Sequence, residues 1–280
     1  MRHTTTGRHI FAMSHAVLLG PDDPAPVELC HAKGRERVVL VCDHASRAVP
    51  RGLDSLGLAD DIIAQHIGWD IGAAEVARHL AKYLDAPAIL CGYSRLVIDC
   101  NRAPDNPGSI PPVSDGIAIP GNASVSEAER LARRAAIFEP YHAAIAAQVA
   151  ALTTKDVVPV VIAIHSFTPE MNGFKRPWHV GVLWDRDGRI AQPLLGALQN
   201  EAGVVVGDNE PYSAREPEGY TPEHHAASRG LPHVAIELRQ DLLLQEIGCV
   251  EWAQRLARCL EPILEKPSLY AAIASLASPS

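Results

Sequence analysis

Short, wholly apolar runs alternate along this chain with longer stretches in which apolar residues recur every three or four positions. Val38-Val39-Leu40-Val41-Cys42 and Val157-Val158-Pro159-Val160-Val161-Ile162-Ala163-Ile164 are of the first kind. Rich in β-branched residues and lacking polar alternation, they read as strands buried on both faces, as in parallel sheets. In the second kind, Ile71, Ala74, Val76, Ala77, Leu80 and Leu84 follow helical spacing within residues 60–84. The same reading predicts strands at 37–42, 87–91, 95–100, 157–164, 179–184, 203–206 and 232–238. It predicts further helices from a Ser124 or Ser126 cap to about 152, at 190–201 and at about 249–265. Alternation of this sort implies an α/β fold: a mixed, mainly parallel sheet with helices on both faces. One domain over residues 36–270 is expected, with 1–35 a polar arm on its surface and 271–280 a tail. Two Pro/Gly-rich stretches, 103–123 and 207–222, are too long for ordinary connections, and loops of that length usually carry function.

Composition narrows the function classes. Apolar residues make up 47% of the chain and aromatics only 5%, which suits a sheet covered by Ala-rich helices. A net charge of -8 gives no electrostatic reason to expect nucleic acid or an anionic membrane as partner. No apolar stretch reaches the roughly 18 residues of a membrane helix. The start, Met1-Arg2-His3-Thr4, lacks the apolar core of a secretion signal. Six cysteines are scattered with no CxxC pair, and three of them (Cys42, Cys91, Cys100) lie in or beside apolar runs, as buried thiols of a reducing compartment do. A cytoplasmic protein is expected; homo-oligomerisation is left open.

The chemistry gathers where apolar strands end. Asp43-His44, Asn101-Arg102, His165-Ser166 and Glu237 each close or interrupt an apolar run. An ionisable group there is costly to desolvate unless it is paired or bound to metal. In open α/β sheets the carboxyl ends of the strands are where ligands and catalytic groups collect. Two imidazoles delivered to one such edge suit zinc, which in catalytic sites takes three protein ligands and a water. Glu237, flanked by Ile236 and Leu238, could take the proton from that water. Asn101 and Arg102 could present a planar cationic fork to a substrate carboxylate. Neither Ser46 nor Ser166 sits in a Gly-x-Ser-x-Gly elbow, and nothing places a base beside Cys100, so nucleophilic serine or cysteine chemistry is disfavoured.

These residues fall in strings that resemble the N-formylglutamate amidohydrolase family: Val-Cys-Asp-His-Ala-Ser at 41–46, His66-Ile-Gly-Trp-Asp70, Ser94-Arg-Leu-Val-Ile-Asp-Cys-Asn-Arg102, Ile164-His-Ser-Phe-Thr-Pro169, Arg176-Pro-Trp-His-Val-Gly-Val182, Gly207-Asp-Asn-Glu-Pro-Tyr212 and Glu237-Leu-Arg-Gln-Asp241. The likeness runs in order from about 36 to 260. It implies a zinc-carboxypeptidase-like fold, with His44 and His165 as metal ligands, one zinc per chain, Asn101-Arg102 on the substrate carboxylate and Glu237 as general base. Carboxypeptidases take their metal carboxylate three residues after the first histidine, and that position here is Arg47. Asp70 is therefore the expected third ligand, with Asp43 the alternative and His66 a further ligand or supporting partner.

Candidate substrate contacts are Asn101, Arg102, Arg95, Ser166, His179, Asn209 and Tyr212. Structural roles compete for several of them: Arg95 could brace the long loop, His179 could simply pack, and Asn209 could serve a turn. Asp70 could be a carboxylate favoured by a helix N-terminus, while His224 and His225 read as exposed on a helix. The expected activity is hydrolysis of the amide of an N-formyl or N-acyl amino acid such as N-formylglutamate. A zinc amidase for peptide or peptidoglycan-type amides, and a metal-free binding protein, are the alternatives.

Overall fold

The computed structural model describes residues 18–34, 36–154, 157–215 and 219–271. A seven-stranded sheet is built from β1 (Val27–Cys30), β2 (Val38–Cys42), β3 (Ala88–Cys91), β6 (Val160–Phe167), β9 (Val180–Leu183), β10 (Val206–Asp208) and β11 (His233–Arg239), in the order β1-β3-β2-β6-β11-β9-β10. Two small hairpins, β4–β5 (Val113–Ser114 and Ile117–Ala118) and β7–β8 (Glu170–Met171 and Phe174–Lys175), project from its loops. Strands β3, β2, β6 and β11 are mutually parallel, β10 is parallel to β9, and the β1–β3 and β11–β9 pairs are antiparallel. The mixed, mainly parallel sheet expected from the sequence is present.

Period-two geometry divides each apolar run between two layers. Leu40, Ile162, Ile164, Val234 and Ile236 face α2 (Ala73–Tyr83), α5 (Ala191–Gln199) and α7 (Glu246–Leu264). Val39, Val41, Val161 and Ala163 face the other way, against α4 (Glu139–Leu152) and the segment from Tyr93 to Ile119. Burial on both sides is why these runs show no polar alternation. Toward β11 and β9 the second face carries the short α6 (Thr221–His225) and the turn after it, and a cleft opens there.

Several elements differ from expectation. Residues 95–100 form a turn-rich buried segment, not a strand. Leu96, Val97 and Ile98 are buried, but side chains take the place of a neighbouring strand: Asn122 Nδ2 donates to Leu96 O at 2.8 Å and Arg133 Nη1 to Val97 O at 3.1 Å. The strand expected at 203–206 lies at Val206–Asp208. The helix expected up to 152 comprises α3 (Glu127–Arg133), capped by Ser126, a π-helical turn over Arg134–Phe138, and α4. Within 60–84, the regular helix is α2, preceded by a single short turn, α1 (Asp60–Ile63). The segment read as a surface arm contributes edge strand β1; its first 17 residues, Arg35 and the tail beyond Ala271 lie outside the described residues. His225 is buried, against the expectation that it is exposed. Among the described residues, no helix is long and apolar enough to cross a membrane.

The core is tight along β6, where Ile162 is fully buried between Leu40 and Val234 on the neighbouring strands. Ile162→Ala is expected to cost about 2–5 kcal/mol, read as a lower urea midpoint with an unchanged slope.

Candidate active site

The site is assembled by strand register. Glu237 on β11 stands directly beside His165 on β6, with Gly181 of β9 on its other side. A side chain at 181 would meet the Glu210 carbonyl at 2.0 Å, so the loop after β10 can close over this spot only because the residue is glycine. His44 lies two residues past β2. Its carbonyl accepts the Asp70 amide at 2.9 Å, which anchors the Trp69-Asp70-Ile71 turn across the strand end. Gly72 follows at φ 80°, so close to Leu243 that a Cβ would overlap it at 2.3 Å. The turn leads into α2 while the Asp70 carboxylate points back at the histidines.

His44, Asp70 and His165 each offer a ligand atom, and the three atoms lie within 4.8 Å of one another, all buried. Asp70 Oδ2 is 2.9 Å from His165 Nδ1 and 3.4 Å from His44 Nδ1, and it also accepts the Ser166 amide at 3.3 Å. The far ring nitrogens meet other carboxylates. His44 Nε2 lies 2.7 Å from Asp99 Oδ1, and His165 Nε2 lies 3.2 Å from Asp43 Oδ2. Asp43 thus sits behind His165, on the opposite ring nitrogen from Asp70. His66 is outside the cluster: its Nε2 pairs with Asp115 at 2.9 Å on the cleft wall.

Charge dominates this region. Asp43, Asp70, Asp99 and Glu237 are all buried, and Arg95 ion-pairs with Asp99 at 2.9 Å and Asp70 at 3.5 Å. Burial and the nearby guanidinium of Arg95 both work against a cationic His44, yet Asp99 and Asp70 outweigh them and raise its pKa to about 9. Burial likewise opposes charge on His165, but Asp43 and Asp70 push its pKa well up. Asp70 and Asp99 are held low, the imidazoles overcoming their desolvation. Glu237 is raised to about 7, chiefly by burial, and its Oε2 has no hydrogen-bond partner among the described residues.

A cleft of about 1260 Å³ opens over the cluster. Arg95, Asn101, Arg102, Ser166 and Tyr212 line it, as the sequence suggested. Several of these also have partners within the protein. Asn101 Oδ1 accepts the Tyr220 and Thr221 amides at 2.9 Å each, and Ser166 Oγ donates to Ile71 O at 2.9 Å. Tyr212 Oη accepts from Arg176 Nη1 at 3.2 Å. Arg102 Nε is 3.9 Å from Asp99. Two expected contacts lie elsewhere. His179 does not line the cleft; its Nδ1 accepts the Val205 amide at 2.9 Å, bracing β9 against β10. Asn209 holds a turn, with Oδ1 accepting the Trp184 and Ala214 amides. The Cys100 thiol is hydrogen-bonded to Cys91 at 3.6 Å and buried; both effects raise its pKa well above the usual range, which removes it as a nucleophile. Sequence reading missed Asp99 as the partner of His44. The signal was there: it is a carboxylate inside the apolar run Leu96-Val97-Ile98-Asp99-Cys100.

Comparisons with known proteins bear on the family and the fold. The sequence profile of the N-formylglutamate amidohydrolase family matches residues 36–244. A crystal structure of a gene product from Agrobacterium tumefaciens is similar to this chain at 36% identity and a TM-score of 0.83, covering 88% of this chain and 98% of its own. N-formylglutamate amidohydrolase from Ralstonia eutropha shares the fold at 19% identity and a TM-score of 0.62, covering 86% of this chain and 98% of its own. No protein of curated function matches the sequence.

The raised groups set the pH behaviour of the metal-free protein. His44, ordinarily 6.5, titrates at about 9 when folded, and Glu237, ordinarily 4.5, at about 7. Each binds its proton more tightly folded than unfolded. Each contribution to stability is therefore complete below the unfolded value and is lost as pH rises through the folded one. The metal-free thermal midpoint should fall by several degrees between about pH 6.5 and 9. Calorimetry showing a flat or rising midpoint across that window would contradict this electrostatic account.

Proposed function

The chain belongs to the N-formylglutamate amidohydrolase family, and we propose that it hydrolyses the amide of an N-formyl or N-acyl amino acid at a single zinc site. The observation that carries this reading is the buried convergence of His44, Asp70 and His165 within 4.8 Å, with Glu237 on the adjoining strand. Two imidazoles and a carboxylate are a donor set that zinc takes in hydrolytic sites. Charge supports the fit as well, since four buried carboxylates are accompanied by one closely paired guanidinium and a divalent cation would offset the excess.

Zinc held there would supply a Lewis acid for the scissile carbonyl and for the attacking water. Glu237 has the place and proton affinity of the general base. Its free Oε2 can accept the water's proton, and a pKa of about 7 allows it to pass that proton to the leaving nitrogen. Water adds across the C–N bond, releasing the acid and a free amine. Arg102, on the cleft wall, would hold the substrate carboxylate. Arg95, with His44, keeps Asp99 ionised, and it ion-pairs with Asp70. Tyr212 closes one side, its ring packed under the Arg176 guanidinium at 5.1 Å. Asn101 and Ser166 fix the backbone around them.

One observation favours a second reading. The cleft, at about 1260 Å³, exceeds the ~300–1,000 Å³ typical of drug-sized ligands. A peptide- or peptidoglycan-type amide would use that space. Release of free amine from N-formyl, N-acetyl and longer N-acyl amino acids and from acyl dipeptides, assayed side by side, separates the two readings.

Two outcomes test the chemistry. Glu237→Gln should retain zinc and lose turnover by about 10²–10⁴-fold; full activity would remove Glu237 from the reaction. Zinc uptake at neutral pH should expel protons from His44 and His165. Calorimetric heats should then depend on the buffer's ionisation enthalpy, and chelation should abolish activity until zinc is returned. A metal-stripped protein that stays fully active would sink the zinc reading.

A further inference from the structure

We propose that Asp43 is the positioning residue of His165, held in place by Thr221, so that the α6 segment is part of the metal site's support. The inference rests on the zinc reading above. A metal-ligating histidine normally has its other ring nitrogen on a carboxylate or carbonyl, which fixes the tautomer and the ring plane. His44 has such a partner in Asp99, at 2.7 Å. For His165 the group in that place, among the described residues, is Asp43, whose Oδ2 lies 3.2 Å from Nε2. Both atoms are buried, and this ion-pair contact is the polar neighbour each has: neither meets hydrogen-bond geometry with any group among the described residues. A carboxylate here favours the proton on Nε2, leaving Nδ1, which faces Asp70 at 2.9 Å, as the ligating atom. Asp43 is thereby committed away from the metal, which answers its candidacy as a ligand.

The other Asp43 oxygen is anchored. Thr221 Oγ1 donates to Oδ1 at 2.6 Å, and Thr221 is completely buried. The Thr221 backbone is set in turn by Asn101 Oδ1, which accepts both its amide and that of Tyr220 at 2.9 Å. Four residues on, His225 is buried against His142 of α4, ring nitrogens 2.8 Å apart and planes 11° from parallel. A continuous chain of contacts therefore runs from α4 through α6 and Thr221 to Asp43 and His165. Thr221 is the link whose chemistry can be removed at nearly constant volume.

The test is zinc affinity, measured by competition with a chromophoric chelator, for the full chain and for Asp43→Asn, Thr221→Val and Thr221→Ser, with the unfolding midpoint of each metal-free protein alongside. Asp43→Asn should weaken zinc binding by about 10–100-fold. Thr221→Val should weaken it several-fold, and Thr221→Ser, which keeps the hydroxyl, should bind as the unaltered chain does. Should Asp43→Asn fail to fold, the two Thr221 variants decide. Affinities that stay within about threefold of the parent overturn the inference, even where stability falls, because that marks packing alone; the zinc reading then stands. A parent chain that takes up no zinc overturns both.

Discussion

Four buried carboxylates crowd two imidazoles at one edge of the sheet and outnumber the arginines beside them, Arg95 on Asp99 and Asp70 and Arg102 3.9 Å from Asp99. This imbalance organises the site. In the metal-free protein the carboxylates raise the pKa values of His44 and His165, and burial raises that of Glu237. Protons and a divalent ion are alternative answers to the same electrostatic demand. The hydrolytic chemistry proposed for the protein follows from exchanging one for the other.

The sheet makes such crowding feasible. Parallel pairing of β2, β6 and β11 sets their carboxyl ends side by side, so residues far apart in sequence arrive together with no long connection inside the site. Alternation then sorts them by face: Ala163 and Val161 continue the core on the side where His165 and Glu237 stand. The apolar half of each strand fixes register against both layers, and register places the polar end. A slip of one residue would carry His165 to the opposite face.

Much of this was legible in the sequence because it is written locally. An apolar run that ends on His44 or His165, or encloses Glu237, announces an ionisable group where desolvation needs a reason. Asp70 could be singled out as a ligand candidate because it precedes a helix start and because Arg47 stands where the carboxypeptidase likeness expects a carboxylate. What escaped notice depends on pairings that sequence spacing does not encode. Asp99 appeared to lie in a strand, since Leu96, Val97 and Ile98 are as apolar as strand residues; carbonyl acceptance by Asn122 and Arg133 is invisible until the chain is folded. Strand β1 was hidden for the opposite reason: at the sheet edge Glu28 and Leu29 are exposed, and no apolar pattern marks them. His179 and Asn209 sit in family-like strings, yet their ring and amide groups are spent on backbone amides.

Arg133 fixes one wall of the cleft. Its guanidinium is buried and reaches Val97 O, Asn122 Oδ1 and Gly121 O, tying the end of α3 to both ends of the 96–122 segment. That segment, for all its prolines and glycines, is thereby fused to the helical layer as one cooperative unit. Swinging it aside would strand a desolvated cation, so this bank of the cleft stands as fixed masonry.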